Sequence, residues 1–175
     1  MKTIKVRNYS EVPTDFTGIV KYTSGTKVWY RNGKQHRVDG PAIEDADGTK
    51  EWWLNGECHR VDGPAIEHYH GSKEWWLNGK LHRVDGPAVE DADGTKRWFL
   101  NGKQHRVDGP AYEDAYGSKY WWLNGKGVYA LEPIGDYILI EEGLPSDVEW
   151  LGKWVTQRKV LTEKGIMHIP NLPGI

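Results

Sequence analysis

Cysteine and long apolar runs are almost absent from this sequence. Cys58 is the only cysteine among 175 residues, so no intramolecular disulfide can form, and nothing indicates an oxidising compartment. The first 20 residues contain no apolar run long enough for a signal peptide, and no stretch of the chain is long and apolar enough to span a bilayer. We therefore expect a soluble protein of the cytoplasm.

Net charge and apolar content are low as well. The net charge is −2 and the pI is near 6.4, so the molecule as a whole does not attract polyanions, and nucleic-acid binding driven by charge alone is disfavoured. Hydrophobic residues make up only 38% of the chain, which is little for a compact core, whereas there are 21 glycines and 10 tryptophans. This composition favours a thin, repetitive β-sheet whose turns are formed by glycine.

What the chain has in abundance is repetition. A tryptophan recurs every 23 residues, at Trp29, Trp52, Trp75, Trp98 and Trp121. The segment His-Arg-Val-Asp-Gly-Pro-Ala recurs unchanged at 36–42, 59–65, 82–88 and 105–111. An unbroken period of this length predicts a repeat protein, in which each unit is one small structural element packed on its neighbours.

Each unit contains two turn signals. Asn-Gly pairs, which favour the type I′ hairpin turn, lie at 32–33, 55–56, 78–79, 101–102 and 124–125. A glycine also closes four-residue tips at 45–48, 68–71, 91–94 and 114–117. The pattern predicts a mainly β protein, an elongated single antiparallel sheet of β-hairpins. The Asp-Gly-Pro step predicts a bend or bulge, because proline lacks the N–H that a strand ladder uses.

A two-residue Asn-Gly turn also fixes the expected register. Counting back from the turn pairs Leu54 with Glu57, Trp53 with Cys58, Trp52 with His59 and Glu51 with Arg60. We expect the face with Trp52, Leu54, His59 and Val61 to be the more buried one. Across the tips, opposite charges favour pairing of Glu44 with Lys50, Glu67 with Lys73, Glu90 with Lys96 and Glu113 with Lys119.

Three regions follow from the phase of the repeat. Residues 1–24 begin with a predicted strand and form a degenerate N-terminal cap, and residues 25–126 form the array. Residues 127–175 break the phase and predict a small α+β segment: a strand at 136–141, a short helix from 146 to 151, and a hairpin of 153–161 with 166–169. This segment either covers the last repeat or acts as the effector part of the molecule.

The units resemble MORN-type repeats, and more closely the MORN-like variant of bacterial and bacteriophage proteins. The residues that carry the resemblance are Gly48, Lys50, Trp52, Trp53, Asn55, Gly56 and the step Gly63-Pro64-Ala65 with their equivalents, although the His-Arg-Val-Asp-Gly-Pro-Ala segment departs from the usual MORN pattern. The flanks also resemble those of tailed-phage proteins. The family implies hairpin sheets that contact proteins or lipids, with some members classed as antitoxins, and it implies no catalytic residues.

Metal binding is the first chemistry to weigh. The repeated histidines, His36, His59, His82 and His105, lie two strands apart in successive units, or roughly 9.6 Å at about 4.8 Å per strand. Ligands of one Zn²⁺ lie about 2.0–2.3 Å from the metal, so we expect each His to stack on its paired Trp and to bind the next turn instead. The Asp-Ala-Asp-Gly tips lack the remaining ligands of a calcium loop, and we expect no metal or other cofactor.

The repeated arginines, Arg37, Arg60, Arg83 and Arg106, allow two interpretations. An arginine stacked on the neighbouring Trp53, Trp76 or Phe99 would present its guanidinium to a carboxylate or phosphate of a partner. Alternatively the charge is quenched locally, by Glu51 or Glu74 across the strand or by the aspartate two residues later. Arg106 differs from the others, because its predicted cross-strand neighbour is Arg97.

Catalysis is not expected, because every polar group of the units recurs and an active site needs one asymmetric constellation. We predict a non-enzymatic protein-binding module, phage-encoded and acting on a host protein such as a defence component in the host cytoplasm. The candidate contact residues are Arg60, Arg83, Arg106, Trp53, Trp76, Phe99, Tyr112, Tyr116, Tyr120, Trp150 and Trp154. The alternatives are carbohydrate or cell-wall binding and nucleic-acid binding along the Arg and Trp positions. Open sheet edges could also pair two copies of the chain.

Overall fold

The computed structural model describes residues 1–128 and the backbone of three later strands, at 137–139, 159–162 and 165–168. The first strands are β1 (Thr3–Val6), β2 (Gly18–Tyr22), β3 (Lys27–Arg31), β4 (Lys34–Gln35), β5 (Ile43–Glu44), β6 (Lys50–Glu51), β7 (Trp53–Leu54), β8 (Glu57–Cys58), β9 (Ile66–Glu67), β10 (Lys73–Glu74) and β11 (Trp76–Leu77). They are followed by β12 (Lys80–Leu81), β13 (Val89–Glu90), β14 (Lys96–Arg97), β15 (Phe99–Leu100), β16 (Lys103–Gln104), β17 (Tyr112–Glu113), β18 (Lys119–Leu123), β19 (Lys126–Val128), β20 (Tyr137–Leu139), β21 (Lys159–Thr162) and β22 (Gly165–His168). A 3-10 turn spans Tyr9–Glu11.

The described residues form a mainly β structure dominated by one large mixed sheet. Its strand order is β1-β2-β3-β5-β6-β9-β10-β13-β14-β17-β18-β19, with β4 paired to β3. The predicted mainly β class is confirmed, but a single antiparallel sheet is wrong in two respects. Strands β1 and β2 run parallel. The Asn-Gly hairpins β7–β8, β11–β12 and β15–β16 are separate two-stranded ladders beside the large sheet.

Both kinds of turn adopt the geometry that their residues favour. The turn asparagines have φ between 51° and 53° and the following glycines also have positive φ, which confirms the type I′ prediction. At the tip, the N–H of Gly48 donates to the C=O of Asp45 at 3.0 Å, and Gly48 has a φ of 99°. The N–H of Thr49 donates to the Asp47 carboxylate at 2.8 Å. These bonds fix the hairpin at its other end.

The chain changes its hydrogen-bonding partner at Trp52. The Trp52 N–H donates to the C=O of Ala65 at 2.8 Å, whereas its C=O accepts from the N–H of His59 at 2.9 Å. Upstream, β6 pairs with β5 and β9; downstream, β7 pairs with β8. Between the two ladders the chain bends at residues 61–63, before Pro64, which has no N–H to donate. The predicted bend is confirmed, and it explains why the hairpins leave the large sheet.

The registers predicted next to the turns are confirmed. Trp53 pairs with Cys58 and Leu54 with Glu57 across the Asn-Gly turn. The tip pairs are Glu44 with Lys50, Glu67 with Lys73, Glu90 with Lys96 and Glu113 with Lys119. Successive hairpins are joined as well, because the N–H of Arg60 donates to the C=O of Trp76 at 3.0 Å.

The apolar core is small and lies mostly at the N-terminal end. It comprises Val6, Phe16, Val20, Tyr22, Val28 and Ile43. Farther along, the fully buried apolar residues are mainly alanines, namely Ala42, Ala65, Ala88 and Ala111. Small side chains at these positions let neighbouring strands and loops approach closely. Buried hydroxyls join successive tips, since Thr26 donates to Asp45 at 3.0 Å and Thr49 accepts from the N–H of Tyr69 at 3.2 Å.

The predicted strands at both ends of the chain are confirmed in part. Strand β1 begins the chain as expected. In the C-terminal segment β20 lies within the predicted strand 136–141, and β21 and β22 form an antiparallel pair at the predicted closing hairpin. Strand β20 runs parallel to β21. The predicted helix from 146 to 151 lies outside the described residues.

Candidate functional site: a row of arginine-clamped loops

The guanidinium of Arg60 folds back onto its own loop. Its Nε donates to the carboxylate of Asp62 at 3.0 Å, and its Nη1 donates to the C=O of Pro64 at 3.1 Å and to the carboxylate of Glu67 at 2.9 Å. The guanidinium carbon lies 4.0 Å from the ring centroid of Trp52, a cation–π contact. One side chain thus fixes both ends of the bend.

The same contacts recur in four consecutive units, and we call these bends the clamp loops (residues 37–41, 60–64, 83–87 and 106–110). Arg37, Arg60, Arg83 and Arg106 stack on Trp29, Trp52, Trp75 and Trp98 at 4.2, 4.0, 3.9 and 4.0 Å. Their side chains are only 21–23% exposed. Each guanidinium also meets two carboxylates, so its charge is already neutralised within the unit.

Two predictions for the arginines are therefore wrong in detail. Arg60 does not face Glu51, because Glu51 lies in β6 of the large sheet, where its carboxylate accepts from the indole N–H of Trp53 at 2.8 Å. The ring beneath the guanidinium is Trp52 rather than Trp53, and the same shift applies to Arg83 and Arg106. The predicted bond to the aspartate two residues later is confirmed at Asp62.

Arg97 is separate from this ladder. It is not the partner of Arg106, because its guanidinium binds the carboxylate of Asp91 at 3.0 Å in its own tip. Arg106 instead binds Asp108 and Glu113, like the other clamp arginines.

The histidines join successive Asn-Gly hairpins. The Nδ1 of His59 accepts from the backbone N–H of Asn78 at 3.2 Å, and the corresponding bond from Asn55 to His36 is 3.1 Å long. This confirms the predicted bond to the next turn. One face of Trp52 lies against Arg60, and the stacking of His59 on this ring stays a prediction. Each imidazole thus has a structural partner 19 residues further along the chain.

The outermost residues of the clamp loops are a valine and an aspartate. Val38, Val61, Val84 and Val107 are 82%, 82%, 83% and 46% exposed. The prediction that Val61 lies on the more buried face is wrong, because the strand pairing ends at His59 and the bend turns Val61 outward. Cys58, on the opposite face, is 4% exposed, and burial raises the pKa of its thiol to about 12.

The aspartates beside these valines are exposed. The side chains of Asp39, Asp62, Asp85 and Asp108 are 82–86% exposed. For Asp39, Asp62 and Asp85, the hydrogen bond from the clamp arginine lowers the pKa of the carboxyl. The clamp loops therefore turn a negative charge outward and keep the positive one inside. The sequence signal for this surface was that the residue between Arg and Asp-Gly-Pro is valine in all four repeated segments.

Two neighbouring clamp loops enclose an open groove of about 590 Å³. Its walls are the loops at 60–64 and 82–85, and its floor includes Trp75 and Leu77. Val61 and Val84 stand at its margins. The groove can receive an apolar side chain flanked by positive charge, since Asp62 and Asp85 also line it.

The other sequence candidates are dispersed. Trp53 and Trp76 are half-buried and donate their indole N–H to Glu51 and Glu74. Phe99 is half-buried in β15. Tyr116 is 94% exposed at a tip, and Tyr120 is 44% exposed with its ring 5.4 Å from that of Tyr112. Trp150 and Trp154 lie outside the described residues.

These features define a mainly β protein with a row of like-shaped, rigid surface loops. In the part of the chain that the structure describes, no three His, Cys, Asp or Glu side chains group as metal ligands, and no helix is long and apolar enough to cross a membrane. No protein-family model matches the sequence, and no curated protein matches it significantly. The resemblance to MORN-like repeats therefore rests on the motif residues themselves.

Proposed function

We propose that the chain is a non-enzymatic protein-binding module whose clamp loops dock on a basic, partly apolar protein surface. The exposed valines support this most directly, because a folded protein seldom presents β-branched apolar residues in a row on well-ordered loops. The loops are already ordered by Arg60 and its equivalents, so binding would cost little conformational entropy. The outward aspartates would pair with lysine or arginine of the partner.

The arrangement of charge disfavours the nucleic-acid alternative. A phosphate backbone needs outward cations, whereas the clamp arginines are shielded and face two carboxylates each. The exposed aspartates would repel phosphates. Salt-dependent binding to single-stranded nucleic acid would contradict the proposal.

The tryptophans argue against the carbohydrate alternative in a similar way. Sugar rings stack on free aromatic faces, and one face of Trp52 is covered by the guanidinium of Arg60. The indole N–H of Trp53 is bonded to Glu51. A sugar ring could therefore use at most one face of Trp52, and the indole N–H of Trp53 is not free to donate to it.

The biological setting belongs to the same proposal. On the resemblance to MORN-like proteins of tailed phages, we place the chain among phage-encoded proteins that sequester or inhibit a bacterial host protein, for example a component of host defence. The repeat array would supply the binding surface. The C-terminal α+β segment would cap the array or act as its effector part.

Affinity capture from a bacterial lysate tests the binding surface when it is combined with loop variants. Val61→Ser with Val84→Ser removes two exposed methyl pairs from the groove margin. Asp62→Asn with Asp85→Asn removes two charges while keeping the side-chain oxygen that accepts from the clamp arginine. We expect the first pair to weaken capture of a specific protein about tenfold or more, and the second to weaken it at low salt.

Tyr69→Ser is the matched control, because Tyr69 is 67% exposed but lies on a tip, away from the clamp loops. It should leave capture unchanged, as should nuclease treatment and added oligosaccharides. If the valine and aspartate variants capture the protein as well as Tyr69→Ser does, the proposed surface is contradicted. Capture that nuclease abolishes would favour the nucleic-acid alternative.

A further inference from the structure

The array of units has two rims with different turns. Strand β18 runs without interruption from the tip at 114–117 to the Asn-Gly turn at 124–125, so the two turn types lie at opposite ends of the strands. The tip rim consists of residues 45–48, 68–71, 91–94 and 114–117. In the same four units, the Asn-Gly rim consists of the turns at 32–33, 55–56, 78–79 and 101–102 with the residue that follows each turn; the turn at 124–125 continues this rim. The strand order places the units along both rims in sequence order.

The Asn-Gly rim carries an exposed charged side chain in every unit. Directly after the turns come Lys34, Glu57, Lys80 and Lys103. None of the four has an ion-pair partner within residues 1–128. The stem of Lys34 lies along Gly56 of the next turn, and the later three lie along their next turns likewise. The charge sequence of this rim is positive, negative, positive, positive.

The tip rim carries carboxylates in the units that have a lysine on the Asn-Gly rim, and imidazoles in the unit that has Glu57. Its units carry Asp45 and Asp47, then His68 and His70, then Asp91 and Asp93, then Asp114. Asp47 and Asp93 are exposed, and hydrogen bonds from the backbone N–H groups of Thr49 and Thr95 lower the pKa of these carboxyls, so they are charged at neutral pH. The one unit with Glu on the Asn-Gly rim is the one unit without a carboxylate on its tip. The unit in which the Asn-Gly rim changes from lysine to glutamate is also the unit in which the tip changes from aspartates to histidines.

We propose that the chain associates laterally with copies of itself, the Asn-Gly rim of one copy lying along the tip rim of the next, parallel and in register. Unit by unit, this arrangement brings Lys34 to Asp47, Glu57 to the exposed His70, Lys80 to Asp93, and Lys103 to Asp114; His68 already binds Glu74 of its own chain. The exposed rings of Tyr69 and Tyr116 add apolar contact area at the same rim.

Other alignments place like charges together. An antiparallel alignment would set Glu57 opposite Asp91 and Asp93. A shift of one unit in either direction would set Glu57 against an aspartate tip, either 45–48 or 91–94. Like-charge contacts of this kind are repulsive, so the charge sequence selects one alignment.

The contact uses different surfaces on the two partners. Such a heterologous contact does not close on itself unless a rotation completes a ring, so copies add side by side. The contact uses only the two rims, so the clamp loops of each copy stay available for binding. Sedimentation velocity at low ionic strength should therefore show species that grow with concentration and dissociate at high salt.

Two variants separate the rims. Lys34→Glu with Lys80→Glu and Lys103→Glu reverses the lysine charges of the Asn-Gly rim. Asp47→Asn with Asp93→Asn and Asp114→Asn removes the three carboxylates that face those lysines, while keeping the oxygens that hold the turns. Each variant alone should sediment as a monomer. A mixture should form a dimer of one copy of each and nothing larger, because only one functional contact remains. As a control, Lys5→Glu with Arg7→Glu and Lys21→Glu alters the same net charge off both rims and should leave association intact.

Zero-length carbodiimide coupling between isotopically labelled and unlabelled wild-type chains tests the register. Mass spectrometry should find Lys80 joined to Asp93 of the other chain at least several-fold more often than to Asp47. The proposal is overturned by a wild-type chain that stays monomeric at low salt, by self-association of either rim variant, or by predominant coupling of Lys103 to Asp47, which an antiparallel alignment would give.

Discussion

At the scale of the residue, the clamp arginine combines four roles in one planar group. In Arg60, the guanidinium edge binds Asp62, Pro64 and Glu67, while its face covers Trp52. A planar fork of donors is needed for this, because the three acceptors lie around the edge and the ring lies below the plane. The side chain is also amphipathic enough to remain largely buried.

Arg60→Lys should therefore destabilise the fold although the charge is kept. A lysine ammonium is a compact donor that cannot reach three acceptors and cover a ring together, so we expect a loss of about 1–2 kcal/mol in the free energy of unfolding. Urea unfolding followed by tryptophan fluorescence measures it. Arg31→Lys, at an exposed arginine outside the clamp loops, is the control. Equal stability of the two variants would show that the stacked geometry contributes nothing.

At the scale of the element, the φ angle of a turn glycine and the backbone that packs against it together determine whether a larger residue can replace it. Gly33 and Gly79 occupy the same place in their Asn-Gly turns, with φ of 72° and 69°. A Cβ on Gly79 would lie 3.7 Å from the Glu57 side chain, an ordinary contact. A Cβ on Gly33 would clash with the backbone C=O of Thr14, which belongs to the N-terminal region packed on that turn.

Alanine substitutions at these two positions should therefore differ widely. Gly79→Ala carries only the cost of a left-handed alanine, about 1 kcal/mol. Gly33→Ala adds the displacement of a backbone segment and should cost about 3 kcal/mol or more. Thermal and urea unfolding of both variants measures the difference. Similar losses would mean that the N-terminal segment moves away from Gly33 at little cost.

The elements also show how far the sequence could predict the structure. Pairing next to the turns, such as Trp53 with Cys58, was predictable because an Asn-Gly turn sets it locally. The prediction was wrong two residues further on, at Arg60 and Val61, because the hydrogen bonds of Trp52 and the Pro64 bend end the ladder. No local propensity encodes the ring on which an arginine will stack. The exposed face of the clamp loops was missed for the same reason.

At the scale of the whole molecule, each unit is bonded to the next one along the chain. The His59 to Asn78 bond and the backbone bond from Arg60 to Trp76 both link adjacent units. Stability in such a molecule is approximately a sum over units and the interfaces between them. The compact apolar cluster around Val20 lies at the N-terminal end.

Removal of one whole unit should therefore be tolerated. Deletion of residues 60–82 joins His59 to Arg83 and restores an intact clamp loop, so we expect a folded chain whose urea m-value falls by about an eighth, with the surface lost. Deletion of residues 60–71 removes half a unit and leaves Trp52 without its Ala65 partner. That variant should lose cooperative unfolding in urea. If the whole-unit deletion also fails to unfold cooperatively, the units depend on contacts beyond their neighbours.

Each clamp loop is held by hydrogen bonds within its own unit, which makes the array a suitable scaffold for engineered binding. The Arg60 side chain finds its hydrogen-bond partners within seven residues, whereas the Val61 side chain projects outward and is 82% exposed. The valine of each loop can therefore be replaced by other residues while the loop backbone keeps its conformation. Randomised libraries at the four positions could yield made-to-order recognition surfaces whose length is set by the number of units joined.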